Sequence, residues 1–141
     1  MNHSESIKEI AVALVKAQGE IKAAIKESTN PFFKNRYADL ASVIEAVRLP
    51  LNKAGICFLQ PVTSTPEGVA VETVLLHCSG EWISEVLHMP VNKQDAQAVG
   101  SATTYGRRYG LQALCGVPSE DDDGEAATKA QSVPKTAITP T

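Results

Sequence analysis

Two short stretches set aromatic rings beside cations. NPFFKNRYADL (Asn30–Leu40) gathers Phe32, Phe33 and Tyr37 with Lys34 and Arg36, and GSATTYGRRYG (Gly100–Gly110) sets Arg107 and Arg108 between Tyr105 and Tyr109. Cations neutralise phosphates and release their counterions, and aromatic faces stack on unpaired bases at roughly 1–3 kcal/mol per base. That is the chemistry of a site for single-stranded nucleic acid. A core role for Phe32, Tyr105 and Tyr109 stands beside it, with the phenylalanines as plugs under the following helix. Lys34, Arg36 and one of the two adjacent arginines are the stronger candidates for contact. Tyr37 and Lys93 complete the candidate DNA-binding set of Lys34, Arg36, Tyr37, Lys93, Arg107 and Arg108.

Other chemistries find less support. His3, His77 and His88 share no motif, and no nucleophile–base arrangement stands out. Counting outward from a two-residue turn at Ser79-Gly80, Cys78 faces Glu81 and His77 faces Trp82, which keeps His88 far from His77. The run EDDDG (Glu120–Gly124) reads as a solvated acidic tail, because neighbouring carboxylates in a flexible segment have no fixed coordination geometry. GSATTYGRRYG is no phosphate loop: its spacing is wrong and no Lys-Ser/Thr pair follows a second glycine. No catalytic residue, metal ligand or cofactor is expected, and the chain reads as a binding protein rather than an enzyme.

The elements that must position these residues follow from periodicity. Apolar residues at 7, 10, 14, 17, 21 and 24 predict an amphipathic helix over Ser4–Lys26, packed on the domain, with a subunit contact as the sharper alternative. Pro31 ends it by pushing Asn30 to an extended conformation. Asp39 caps a second helix that runs past Pro50, which bends its last turn, to Gly55. The period then becomes twofold. Ile56–Val62, Val69–Cys78 and Glu81–Met89 predict a three-stranded antiparallel meander, with Pro61 marking an edge or bulge and Ser79-Gly80 a hairpin. Such a sheet needs a covered face. The cover is the helix-like stretch Asn92–Cys115, whose Gly100, Gly106 and Gly110 argue for close backbone approach to the sheet or to a ligand. Ala98, Ala102, Tyr105, Tyr109 and Ala113 share one face of it, and Gly100, Thr104, Arg107, Arg108 and Leu111 another.

Composition bounds the rest. Of the 141 residues, 43% are hydrophobic and 21% charged, the values of an ordinary globular protein. No run of about 18 apolar residues spans a membrane, and Met1–Lys8 is no signal peptide. Cys57, Cys78 and Cys115, odd in number and widely spaced, read as reduced core residues in a cytoplasm. Residues 1–118 carry eleven Lys/Arg and eleven Asp/Glu, whereas 119–141 carry two against five and supply the whole net charge of -3. Affinity for an anion must therefore come from a local patch. The chain divides into a domain at 1–118 and a disordered acidic tail at 119–141.

The blocks NPFFKNRYADLASVIEAVRLPLNKAGICFLQ, HCSGEWISE and DAQAVGSATTYGRRYGLQALCGVPSEDDDGEAA, in that order, resemble the Erf (essential recombination function) family of phage single-strand annealing proteins over about Ile7 to Ala127. The resemblance implies an ATP-independent protein that coats single-stranded DNA and anneals complementary strands in phage homologous recombination, in the cytoplasm of the bacterial host. It implies an α+β fold with a β-β-β-α core that assembles into rings or filaments. The partners it implies are single-stranded DNA, further copies of the chain and the host single-strand binding protein, whose recruitment belongs to a further C-terminal region that members commonly carry. The chain ends soon after the acidic run. Two readings of other classes stay open on the residues: a metal-dependent nuclease using Asp121–Asp123, and a structural oligomerisation module without a DNA role.

Overall fold

The computed structural model describes residues 1–27, 39–93 and 95–118. Lys34, Arg36 and Tyr37, the two phenylalanines beside them and the tail with Asp121–Asp123 lie outside the described residues. The fold is α+β. The elements run β1 (Asn2–His3), α1 (Lys8–Glu27), α2 (Leu40–Lys53), β2 (Ile56–Leu59), β3 (Val62–Thr65), β4 (Gly68–His77), β5 (Trp82–Pro90) and α3 (Ala96–Cys115).

Among the described residues five antiparallel strands form the sheet where three were expected, in the order β1-β5-β4-β2 with β3 beside β2 on the same edge of β4. The predicted first strand is split in two. Leu59 pairs with Val74 and Val62 with Val71, so the register runs through Gln60 and Pro61 without an extra residue. Pro61 lacks an amide, which breaks the ladder, although its carbonyl still accepts from the Glu72 amide at 3.0 Å. It marks an edge and no bulge. The fifth strand is Asn2–His3 on β5, and α1 begins at Lys8 rather than at Ser4, where the periodicity predicts its start. Ser4 closes that pairing: its amide donates to the Trp82 carbonyl, and its hydroxyl accepts from the Trp82 amide.

The hairpin register also differs. Leu76, not His77, pairs with Trp82. The loop holds three residues, Cys78–Gly80, closed by the His77 amide on the Glu81 carbonyl at 2.8 Å, and Gly80 takes a left-handed φ of 97°. A single αL glycine at the end of a three-residue loop is a standard hairpin solution. Cys78 is thereby exposed, as is Cys57, and of the three thiols only Cys115 is a core residue.

On β4, Val69, Val71, Thr73 and Leu75 are buried and the residues between them half-buried, so one face of the sheet is covered. The three helices of the described residues lie against that face. Ile10, Ala13, Ala17 and Ile21 of α1 meet Val43, Val47 and Leu51 of α2, with Ile56, Leu75, Ile83, Leu111 and Cys115. The α1 seam thus packs on its own domain, turned slightly from the expected positions: Ala13 is inside, and Ile7 precedes the helix and is exposed. The Glu81 carboxylate receives the amides of Glu9 and Ile10 at 2.8 and 2.9 Å, capping α1 from the hairpin. Asp39 caps α2 as expected, accepting from the Ser42 amide at 2.8 Å. Gly55 follows its last turn with a φ of 83°. Among the described residues no helix is long and apolar enough to cross a membrane.

Candidate nucleic-acid interface

Helix α3 begins at Asp95, whose side chain accepts from the Ala98 amide at 2.7 Å, and ends at Gly116 in a left-handed conformation. It is buried along two different arcs. Ala102 and Gly106 share one, where Gly106 meets Val71 of the sheet, and Arg108, Leu111, Gln112 and Cys115 lie on the arc opposite, with Leu111 and Cys115 in the core shared with α1 and α2. Glycine is required on the first arc. A Cβ on Gly106 would stand 2.6 Å from Val71 Cγ2, and one on Gly110 would press on the Thr73 hydroxyl. Gly100 is different: among the described residues nothing lies within 4 Å of its Cβ position, so their packing does not demand a glycine there.

Tyr105 and Tyr109, expected on one face with Ala102, instead stand on a flank of the helix and are 46% and 39% exposed. Their rings stack with centroids 5.8 Å apart and planes at 20°. The Arg108 guanidinium lies 5.1 Å from one ring centroid and 4.7 Å from the other. Arg108 is only 5% exposed. A buried charge needs compensation. The two aromatic faces contribute some of it. Asp39 contributes too: its carboxyl is held below the ordinary range, first by the Ser42 amide and least by the charge of Arg108.

Arg107 points about 100° away from Arg108 around the helix. It is half-buried, and its Nε donates to Gln60 Oε1 at 3.4 Å. Gln60 Nε2 donates in turn to the Arg107 carbonyl at 2.8 Å and to the Thr73 hydroxyl at 3.0 Å, tying α3 to the gap between β2 and β3. Lys93 is exposed in the turn before α3. The structure therefore groups Arg108 with Tyr105, Tyr109 and Asp39, and sets Arg107 and Lys93 apart from them.

Between the start of α2 and the first half of α3 lies an open groove of about 600 Å³, lined by Asp39, Leu40, Gln97, Gly100, Ser101, Thr104, Tyr105 and Arg108. Sequence reasoning named Gly100, Tyr105 and Arg108 within this stretch but assigned no role to Gln60, Gln97 or the Asp39 side wall. The spacing Arg108, Leu111, Cys115 was the available signal for a second buried face. Among the described residues no group of three or more His, Cys, Asp or Glu could hold a metal ion.

A family model, that of the ERF superfamily, matches residues 10–141. The chain belongs to the ERF superfamily. At the level of that family the associated activity is single-strand annealing in phage recombination. No curated protein and no solved structure matches the chain. The membership extends past the described residues, through the acidic run and to the last residue.

Proposed function

We propose that this ERF-superfamily chain coats single-stranded DNA and anneals complementary strands without ATP in phage homologous recombination, working as a homo-oligomer in the bacterial cytoplasm. The observation that carries the reading is the exposed Tyr105–Tyr109 pair, with the Arg108 guanidinium against both rings, on a chain of this family. Aromatic faces open to solvent suit unpaired bases, which a duplex does not offer. The phosphate contacts are Lys34, Arg36, Lys93 and Arg107, with Tyr37 beside the first two. Arg108 belongs to the interface through the rings it touches.

Asp39, on the groove wall, is two residues from Tyr37 and three from Arg36. At most about 7 and 11 Å of chain therefore separate those residues from it, which supports one interface built from both aromatic–cation stretches. The annealing unit is 1–118, and 119–141 is an acidic extension that repels phosphate. Because residues 1–118 are neutral overall, one copy offers a strand only local patches. Several copies in a ring or filament supply continuous contact, with the host single-strand binding protein as a further partner.

Titration of a fluorescent oligonucleotide against salt tests the reading. Binding should prefer single strands to blunt duplex and weaken steeply with salt, the logarithmic slope falling by about 0.7 for each phosphate contact. Complementary oligonucleotides should anneal with no nucleotide present, and light scattering should return a multimer. A flat salt response, equal affinity for duplex, a strict ATP requirement or a monomer mass with and without DNA would each overturn the part it addresses.

A further inference from the structure

The groove beside α3 has a wall chemistry that selects among the parts of a DNA strand. Among the described residues two charged side chains line it, Asp39 and Arg108, and they carry opposite signs. The other polar residues described there, Gln97, Ser101, Thr104 and Tyr105, are neutral. An anionic phosphate entering it meets a carboxylate held in its charged form and gains little from a guanidinium that is 5% exposed. A flat neutral ligand meets an exposed tyrosine at the rim and amide and hydroxyl groups along the wall.

We infer that the Tyr105–Tyr109 pair and the adjoining groove form a seat for an unpaired nucleobase, with Arg108 as a positioning residue that holds the two rings rather than a phosphate contact. The inference rests on the single-strand binding reading and deepens it. The rings are stacked on one another, and the guanidinium lies within 5.1 Å of both centroids while being nearly shielded from solvent. A ligand arriving from solvent therefore reaches the tyrosines before it reaches the charge. Holding both rings in one orientation lowers the ordering cost of stacking, the advantage of a preorganised surface. Gly100 leaves the groove open from the α3 side, since among the described residues nothing lies within 4 Å of its Cβ position. That explains a helical glycine that no packing contact requires. The seat takes any base, because every base has a π-face.

The test compares two oligonucleotides of equal length, one with all its bases and one abasic through its centre, and adds a third carrying 2-aminopurine to report stacking. The full chain should bind the strand with bases more tightly than the abasic one and change the 2-aminopurine signal. Tyr105→Ala with Tyr109→Ala should remove that preference, a loss of roughly tenfold or more in affinity for the strand with bases. Affinity for the abasic strand should not change. Gly100→Leu, which meets no packing among the described residues, should remove the same preference by filling the groove. Arg108→Met should weaken the 2-aminopurine signal yet leave the salt slope as it was, whereas Arg107→Ala should lower that slope by about 0.7. If the unaltered chain binds single strands but does not distinguish the abasic one, the seat is refuted and the binding reading stands. If Arg108→Met lowers the salt slope, Arg108 contacts phosphate and its assigned role is wrong. If the unaltered chain binds neither strand, the binding reading falls and the seat with it.

Discussion

Gly106→Ala adds one methyl group where α3 crosses the sheet. Its carbon would sit 2.6 Å from Val71 Cγ2, 3.1 Å from Val71 Cβ and 3.2 Å from Met89 Cγ. Ordinary carbon contacts are at about 3.5–4.0 Å, so roughly 0.9 Å must be found. Val71 is 1% exposed and β-branched, so it has little freedom to swing aside. The overpacking should cost about 1–3 kcal/mol. Alanine recovers about 1 kcal/mol of helix propensity, so the net effect is a loss of up to about 2 kcal/mol. Gly100→Ala gains the same propensity with nothing among the described residues in its way. The difference between the two variants therefore isolates the overpacking term.

Urea unfolding followed by circular dichroism, at one fixed protein concentration, reads that difference. Val71→Ala removes the methyl that Gly106→Ala collides with, and the double variant should be more stable than the sum of its parts by about 1–3 kcal/mol. The reasoning is refuted if Gly106→Ala is stabilised as much as Gly100→Ala, or if the double variant is additive. The consequence reaches the interface, because the height of α3 above β4 decides where Tyr105, Arg107 and Tyr109 stand.

Gln60→Ala removes the bonds to Thr73 and to the Arg107 carbonyl and should lower stability by about 1–3 kcal/mol in the same assay; an unchanged midpoint would show that Gln60 does not fasten α3. Asp39→Ala loses the α2 cap and should cost about 1 kcal/mol, which thermal unfolding would detect. The Glu81 carboxyl is held below its ordinary value, first by the Ile10 amide, so its contribution is present above the unfolded value and is lost as pH falls through the folded one. Glu81→Gln should therefore flatten the acid side of the stability–pH curve; a curve of unchanged shape would count against the cap. Burial pushes the Cys115 thiol up to about 12, whereas Cys57 and Cys78 are exposed. A thiol reagent should titrate two cysteines in the native protein and the third only after unfolding, and three fast thiols would refute the packing of Cys115.

What the sequence disclosed was local, and what it hid depends on distant partners. Asp39, Gly55 and the switch from helical to twofold period are punctuation, readable in a window of a few residues. The cap of α1 is not, because its carboxylate lies 72 residues from Glu9 in the chain. The pairing of Asn2–His3 with β5 is hidden for the same reason. The hairpin was legible as a turn but not in its register, since Ser79-Gly80 fits a two-residue loop while the αL glycine also closes a three-residue one.

The candidate site shows the same division on one helix. Counting about 100° per residue, Ala102, Gly106 and Gly110 occupy one narrow arc of α3, and Arg108, Leu111, Gln112 and Cys115 the arc opposite. With the first arc committed to the sheet and the second to the helical layer, two flanks remain. Tyr105 and Tyr109 fall on one and Arg107 on the other. A sequence reading that gives the helix a single buried face must put the tyrosines inside with Ala102. One that allows two must put them outside. The exposure of the tyrosines is thus forced by packing on both sides of them. The buried arginine follows as well, since position 108 lies on the second arc at its end nearest Asp39, where a long cation reaches two aromatic faces and feels a carboxylate held in its charged form.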